Sequence, residues 1–283
     1  MNRLLATATI LAATTVAMAS AGDTVETVRP VSSAYMIEGG SAHNADSYLT
    51  PLRYQGWNGA VAYQRRQAMR FDPERWVMAL RGKIGLDRTE NPARNATMWA
   101  ADIEASWSMT RRFALPHDIN IGIGGYTGID AGALYLARNG NNPVAAKGAW
   151  EIGPAAYVSF RTAIKKIPVT LAYDVRMPLT GVFFTPDYGQ LYYEIWLGER
   201  SGIVSGIWPG NYFRMDNRVT ADLHFGATTL RLGYACDIHS SKARGIVTRR
   251  FSHAAIVGVV CEWLSLAPGK KFDSSTRIIS ATY

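Results

Sequence analysis

The chain has 283 residues, and 30 Lys and Arg against 22 Asp and Glu leave a formal charge of +8. The basic residues are scattered rather than gathered on one face or loop, which argues against a nucleic-acid role. Two cysteines, Cys236 and Cys261, are too few for a small scaffold held by disulfides, and nothing beyond the N-terminal segment is apolar for the ~18 residues of a membrane helix.

Residues 1–21 read as a secretory signal peptide. Arg3 precedes an apolar run over 4–17, and small residues then offer cleavage at Ala17-Met18-Ala19 or Ala19-Ser20-Ala21, before polar Asp23 and Glu26. Such a core is too short to span a bilayer. The remainder has no linker, charge block or fixed-period repeat, so one domain is expected over 22–266 and a C-terminal tail over 267–283.

Along the mature chain the dominant signal is period-two alternation. A first strand falls over 27–37, with Pro30 tolerated near its start, and a second over 57–69. Over 76–86 the apolar series Trp76, Met78, Leu80, Ile84, Leu86 opposes Arg81 and Lys83. Over 98–109, Trp99, Ile103 and Trp107 oppose Asp102, Glu104 and Ser106. Weaker strands follow over 119–133 and 151–164. Over 167–179, Val169, Leu171, Tyr173 and Val175 oppose Thr170, Asp174 and Arg176; over 213–225, Phe213, Val219, Leu223 and Phe225 oppose Arg214, Asp216, Arg218, Asp222 and His224. The last two strands are 229–239 and 247–264.

These runs exceed the five or so residues of a soluble strand and match the ~9–11 of a tilted membrane strand. Tryptophans 57, 76, 99, 107 and 263 on the apolar face fit interfacial girdles. Short turns near 71–74, 165–166 and 226–228 alternate with longer connections at 89–94, 135–145, 181–211 and 240–245, as periplasmic turns and outer loops do. The reading is an all-β, antiparallel transmembrane barrel of ten strands in a bacterial outer membrane, or twelve if 190–208 adds a hairpin to the sheet. The final residues 278–283 end on an aromatic, like the signal read by the barrel-insertion machinery, or form a loose periplasmic tail.

Asp46-Ser-Tyr48-Leu-Thr-Pro51, Met177-Pro-Leu-Thr-Gly181-Val-Phe-Phe-Thr-Pro186 with Tyr188-Gly-Gln190-Leu-Tyr-Tyr193-Glu194, and Leu232-Gly-Tyr234 with Asp237-Ile-His-Ser240-Ser-Lys242 resemble the Bacteroidetes family of unknown function DUF3316 over roughly 25–264. The resemblance implies an outer-membrane barrel and supplies no catalytic residues.

Chemistry is sought on the inward face, where Arg81, Asp102, Glu104, Asp174, Arg176, Arg214, Arg218, Asp222 and Arg231, with Lys83, Glu151, Arg161, Asp237, Arg250 and Glu262, carry mixed charge. A barrel of this size is narrow enough for side chains to fill, so an ion-pair network plugging the lumen is expected; a narrow channel is the alternative. A second alternative is an outer-leaflet lipid hydrolase of the lipid A deacylase or phospholipase kind, drawing on His239 and Ser241 with Asp237 as the nearer acid, or on Ser240, Ser252, His253 and Glu262. The five histidines lack metal-ligand spacing and no Cys-x-x-Cys occurs, so neither metal nor cofactor is expected. The Gly122-x-Gly124-Gly125 run reads as close packing within a strand. Pairing the last two strands around a turn near Ala243 sets Cys236 opposite about residue 250, far from Cys261, so two free, lipid-facing thiols are expected. The aromatic segment 181–211 is too apolar to dangle in water. It reads as a lid on the mouth, or as a platform on which Tyr188, Tyr192 and Trp196 stack a glycan or lipid while Asp187, Gln190 and Glu194 hydrogen-bond it. The remaining partners are membrane lipid and lipopolysaccharide.

Overall fold

Alternating apolar and polar residues on an extended backbone make a sheet with two unlike faces. The computed structural model of the protein, which describes residues 27–140, 142–226, 228–263 and 277–282, is built almost wholly of such strands. A two-residue β1 (Thr27–Val28) leads into β2 (Val31–Asp46), β3 (Tyr54–Ala68), β4 (Trp76–Glu90), β5 (Thr97–Leu115), β6 (Ile119–Leu136), β7 (Val144–Ile164) and β8 (Ile167–Arg176). A hairpin of β9 (Thr180–Phe184) and β10 (Val204–Ile207) encloses helix α1 (Tyr192–Leu197). Then follow β11 (Tyr212–Phe225), β12 (Thr228–Ala243), β13 (Ile246–Trp263) and β14 (Arg277–Ile278). The signal-peptide segment 1–21 and tail residues 267–276 lie outside the described residues.

Ten strands, β2 to β8 and β11 to β13, close into one antiparallel barrel, with β2 on β13, β8 on β11 and β7 on β8 completing the circle. Closure satisfies backbone amides inside the sheet, which lipid demands. These are the ten strands that the alternation predicts. The twelve-strand count does not hold. β8 has 10 residues against 21 in β7, and β9 pairs with the stretch of β7 that β8 leaves free, Trp150 opposite Val182, so the hairpin stands outside the circle.

The strand ends differ from the sequence reading in three places. β2 starts at Val31 and runs on to Asp46, while Thr27–Val28 pairs in parallel with Arg277–Ile278. The connection expected at 240–245 is a two-residue turn, because β12 and β13 stay paired to Ala243↔Ile246 and Arg244 and Gly245 both take positive φ, 50° and 76°, the conformation that suits a tight hairpin. β5 continues to Leu115, leaving 116–118 as the turn. Residues 277–282 are docked at the short-turn end: Arg112 donates to the Ser280 carbonyl at 2.8 Å, Ser280 and Thr282 hydroxyls donate to Glu262 at 3.2 and 3.1 Å, and Ile279 and Ala281 are buried.

Outward positions carry an apolar belt in which Ile37, Val61, Ile84, Ile103, Ile123 and Val257 are more than half exposed, as lipid-facing side chains must be. Trp57 and Trp99 meet edge-on at 6.3 Å toward the loop end, and Trp76 and Trp263 face out at the other. Trp107, opposite Leu80, lies four residues further in than Trp76. Beyond Trp57 and Trp99 the outer face turns polar, with an Arg88–Glu90 ion pair of 2.8 Å, so the sheet rises past the belt into water. Inside, Leu49, Tyr54, Met98, Ala100, Leu134, Leu136 and Ala145 pack a dry plug at the loop end. A second apolar patch of Ala34, Met36, Ala62, Ala235, Ala254, Ile256 and Val260 lines one wall nearer the short turns. Ionisable residues fill the zone between.

Candidate functional site

Because β11 alternates strictly, Tyr212, Arg214, Asp216, Arg218 and Asp222 all point inward and are buried. Arg214 is the hub of the loop-side half. Its guanidinium bonds Glu104, Glu151 at 3.4 Å and Asp216 at 3.1 Å, with Asp130 at 3.6 Å. Tyr212 and Tyr126 donate to the two oxygens of Glu151 at 2.5 and 3.2 Å. Arg250 joins Asp102 at 2.6 Å and Asp87 at 3.1 Å, Lys83 joins Asp237 at 2.8 Å, and Lys147 joins Asp46 at 2.6 Å. Carboxylate oxygens of Asp102, Glu104 and Asp130 come within 4.8 Å of one another, but Arg214 and Arg250 already supply the positive charge that holds them together.

Toward the short turns, Arg218 bonds Glu38 at 2.5 Å, Arg176 bonds Asp216 at 2.7 Å and Ser106, Arg66 bonds Asp174, and Arg231 grips both oxygens of Asp222 at 2.7 Å. Of the nine lumen residues expected from sequence, eight sit in these pairs. Arg81 is the exception. It is buried at 8 % exposure, forms no ion pair among the described residues, and its Nε and Nη2 find no partner. Sequence reasoning missed Glu38, Asp46, Arg66, Asp130 and Lys147. Glu38 and Asp46 lay beyond the expected end of the first strand, and Asp130 and Lys147 stand among glycines and alanines where alternation is faint.

Asp237, His239 and Ser241 all face inward, at alternate positions of β12. They do not form a relay: Asp237 is taken by Lys83, the His239 ring packs on Tyr212 at 4.8 Å with its Nε2 unpartnered, and no hydrogen bond joins His239 to Asp237 or Ser241. His253 faces outward on a bond with Tyr234, Ser252 lies opposite Asp237, Ser240 faces out, and Glu262 sits at the far end holding Ser280 and Thr282. Cys236 and Cys261 are free and on the outer face; Cys236 lies opposite His253, not residue 250, since the turn falls at 244–245.

The segment 181–211 is folded down at the mouth. Phe183, Ile207 and Tyr212 form a small buried core. Tyr192 stacks on Phe184 at 6.4 Å, meets Tyr48 edge-on at 5.8 Å, and accepts the Ala146 N–H at 2.7 Å. Burial pushes the Tyr192 phenol up to about 12, against the pull of that N–H, and burial likewise raises the Tyr48 phenol, which donates to the Gln190 carbonyl at 2.8 Å. The polar side chains expected to meet a ligand are hydrogen-bonded within the lid and to Arg244. Asp187 takes both carboxylate oxygens to Arg244 at 3.0 and 2.9 Å, Gln190 bonds the Asp187 N–H and the Glu199 carbonyl, and Glu194 caps α1 by accepting the Leu191 N–H at 2.8 Å. Tyr188, Tyr193 and Trp196 are 69, 64 and 75 % exposed.

A closed ten-stranded sheet, apolar outside and charge-paired inside, defines a transmembrane β-barrel of the outer-membrane type. The chain belongs to the family described as "Protein of unknown function (DUF3316)", whose sequence profile matches residues 3–271. No curated protein matches it. Similar solved structures include the outer-membrane protease OmpT from Escherichia coli (6 % identity, 83 % of this chain and 97 % of that one, TM-score 0.48) and the translocator domain of the autotransporter NalP from Neisseria meningitidis (9 %, 85 % and 90 %, 0.38). The β domain of the Bordetella autotransporter BrkA is another (11 %, 83 % and 100 %, 0.38).

Proposed function

We propose that the protein is a non-enzymatic component of a bacterial outer membrane, exported by residues 1–21, with its short turns in the periplasm and its lid outside. In this reading the apolar belt meets lipid and lipopolysaccharide, and the barrel conducts nothing. One observation carries it: the lumen is crossed by paired charges from every side beneath an apolar plug, and the cavities described within the ionic zone hold about 50 Å³ or less, the wider space of about 560 Å³ lying at the short-turn mouth by Arg161 and Glu262. The test is planar-bilayer recording of the refolded protein. No conductance steps are expected, and stable ohmic steps would overturn the proposal. Because the plug belongs to barrel strands and the 47–53 loop, deleting 183–208 should leave the membrane silent.

A second reading makes the lid a recognition platform. It is favoured by the exposed rings of Tyr188, Tyr193 and Trp196, with Tyr193 stacked on Trp196 at 6.2 Å, since exposed aromatic faces suit sugars and acyl chains. Glycan-array and lipopolysaccharide binding by wild type and by a Tyr193→Ala, Trp196→Ala variant tests it; equal binding by both rejects it.

A further inference from the structure

The short-turn half of the lumen holds a cavity of about 50 Å³ whose walls include Arg66, Arg81, Arg176, Arg218 and Tyr157. Three of the four guanidiniums are each committed through one edge, to Asp174, Asp216 and Glu38. Arg81 forms no ion pair among the described residues; Arg218 and Arg176 stand near it as like charges, and the opposite charges that act on it, Glu38 and Asp237, are already paired with Arg218 and Lys83. Six buried polar atoms on this wall have no partner: Arg66 Nε, Nε and Nη2 of Arg81, Nε and Nη2 of Arg218, and the Tyr157 hydroxyl. The residues bearing them are 4–8 % exposed. Nε and Nη2 form the side edge of a guanidinium, the fork that donates to two oxygens of one anion.

Water is a poor occupant here. One molecule would accept from two of the six, and among those unpartnered atoms only the Tyr157 hydroxyl can take one of its hydrogens; a tetrahedral oxyanion offers several acceptor oxygens at once and neutralises Arg81, which unpaired would cost several kcal/mol. The loop-side cavity makes the contrast, for its unpartnered atoms include Asn44 Oδ1, Asn58 Oδ1 and Asp237 Oδ1, which water can serve by donating. Tyr157 reaches its place because Gly122 lies beneath its ring, 2.0 Å from where a Cβ would sit, and the ring takes Arg66 on its face at 5.1 Å.

We propose that this cavity is a binding site for a tetrahedral oxyanion of the phosphate class, held in the two open forks of Arg81 and Arg218 with Arg66 and Tyr157 completing the shell. The test is calorimetric titration of the detergent-refolded full chain, in phosphate-free buffer at fixed ionic strength, with sodium phosphate, sodium sulfate and sodium chloride. Saturable one-to-one binding of phosphate or sulfate, and none of chloride, is expected. Tyr157→Phe, which keeps the ring, should bind phosphate several-fold more weakly, and Arg81→Met should lose at least tenfold while folding as well as wild type without phosphate. Absence of saturable binding by wild type, wild-type affinity in Arg81→Met, or failure of that variant to fold would each overturn the proposal.

Discussion

Arg214 offers the sharpest test of how the lumen is held. Replacing it by Met keeps the stem but removes the one cation shared by Glu104, Glu151 and Asp216, with Asp130 alongside. The carboxylates left behind are crowded, Glu104 and Asp130 lying with Asp102 within 4.8 Å of one another, and Arg250 and Lys83 are engaged elsewhere. Removing one partner of a buried pair costs about 3–5 kcal/mol because the other charge is stranded, and several carboxylates share this one. Arg214→Met should therefore lose about 3–5 kcal/mol, two to nearly four orders of magnitude in the unfolding equilibrium at about 1.4 kcal/mol per decade. Urea unfolding in lipid vesicles, followed by tryptophan emission and by heat-modifiable gel mobility, reads it. Adding Glu104→Gln and Glu151→Gln should restore part of the loss, since the neutral amides need no counter-charge. A loss below about 0.5 kcal/mol, or further destabilisation by the amide substitutions, would refute the hub.

Other outcomes follow from the same geometry. The intact mass of the protein should not change on reduction, since Cys236 and Cys261 are free and far apart along β12 and β13; a gain of two hydrogens would show a bridge. Tyr192 stays neutral in the folded lid, so its contribution is complete below about pH 10 and fades as pH rises toward about 12. Limited proteolysis of the lid should accelerate in that window, and Tyr192→Phe, which strands the Ala146 N–H at a cost of about 1 kcal/mol, should loosen the lid at neutral pH and diminish the alkaline step, the remainder belonging to Tyr48, whose raised phenol donates to Gln190. Gly181 has φ 141° and a Cβ there would lie 2.0 Å from the Trp150 carbonyl oxygen, so Gly181→Ala should break the β7–β9 pairing and expose the lid to protease while the barrel keeps its gel mobility.

The ten strands were legible because each crosses between lipid and lumen, and those two media sort side chains at every second position. Legibility ended where lipid ends. Past the belt the outward residues His43, Gln55, Ser240 and Lys242 face water, so alternation vanishes while pairing continues to Asn44↔Tyr54 and Ala243↔Ile246; that is why the turn at Arg244 and Gly245 looked like a long loop. The plug was hidden for the opposite reason. Met98, Ala100, Leu134 and Leu136 face the lumen but are apolar, which blurs the contrast between faces, although two-sided apolarity at the loop ends of β5 and β6 is itself a sign of cover. The lid's internal bonds, such as Tyr48 to Gln190 and Asp187 to Arg244, join residues tens to more than a hundred positions apart, and no local pattern encodes them. Nor does spacing distinguish Arg81 from its paired neighbours, since that depends on which strands face it.

The parallel pairing of β1 with β14 ties the leading and trailing ends of the chain together below the one junction, β2 with β13, where the first and last barrel strands meet. In any cylinder rolled from a single ribbon that junction is the natural place to gape, since no covalent hairpin bridges it. Here a clasp spans it, reinforced by Glu262 and Arg112 gripping Ser280, so opening the cylinder sideways would first require the clasp to let go.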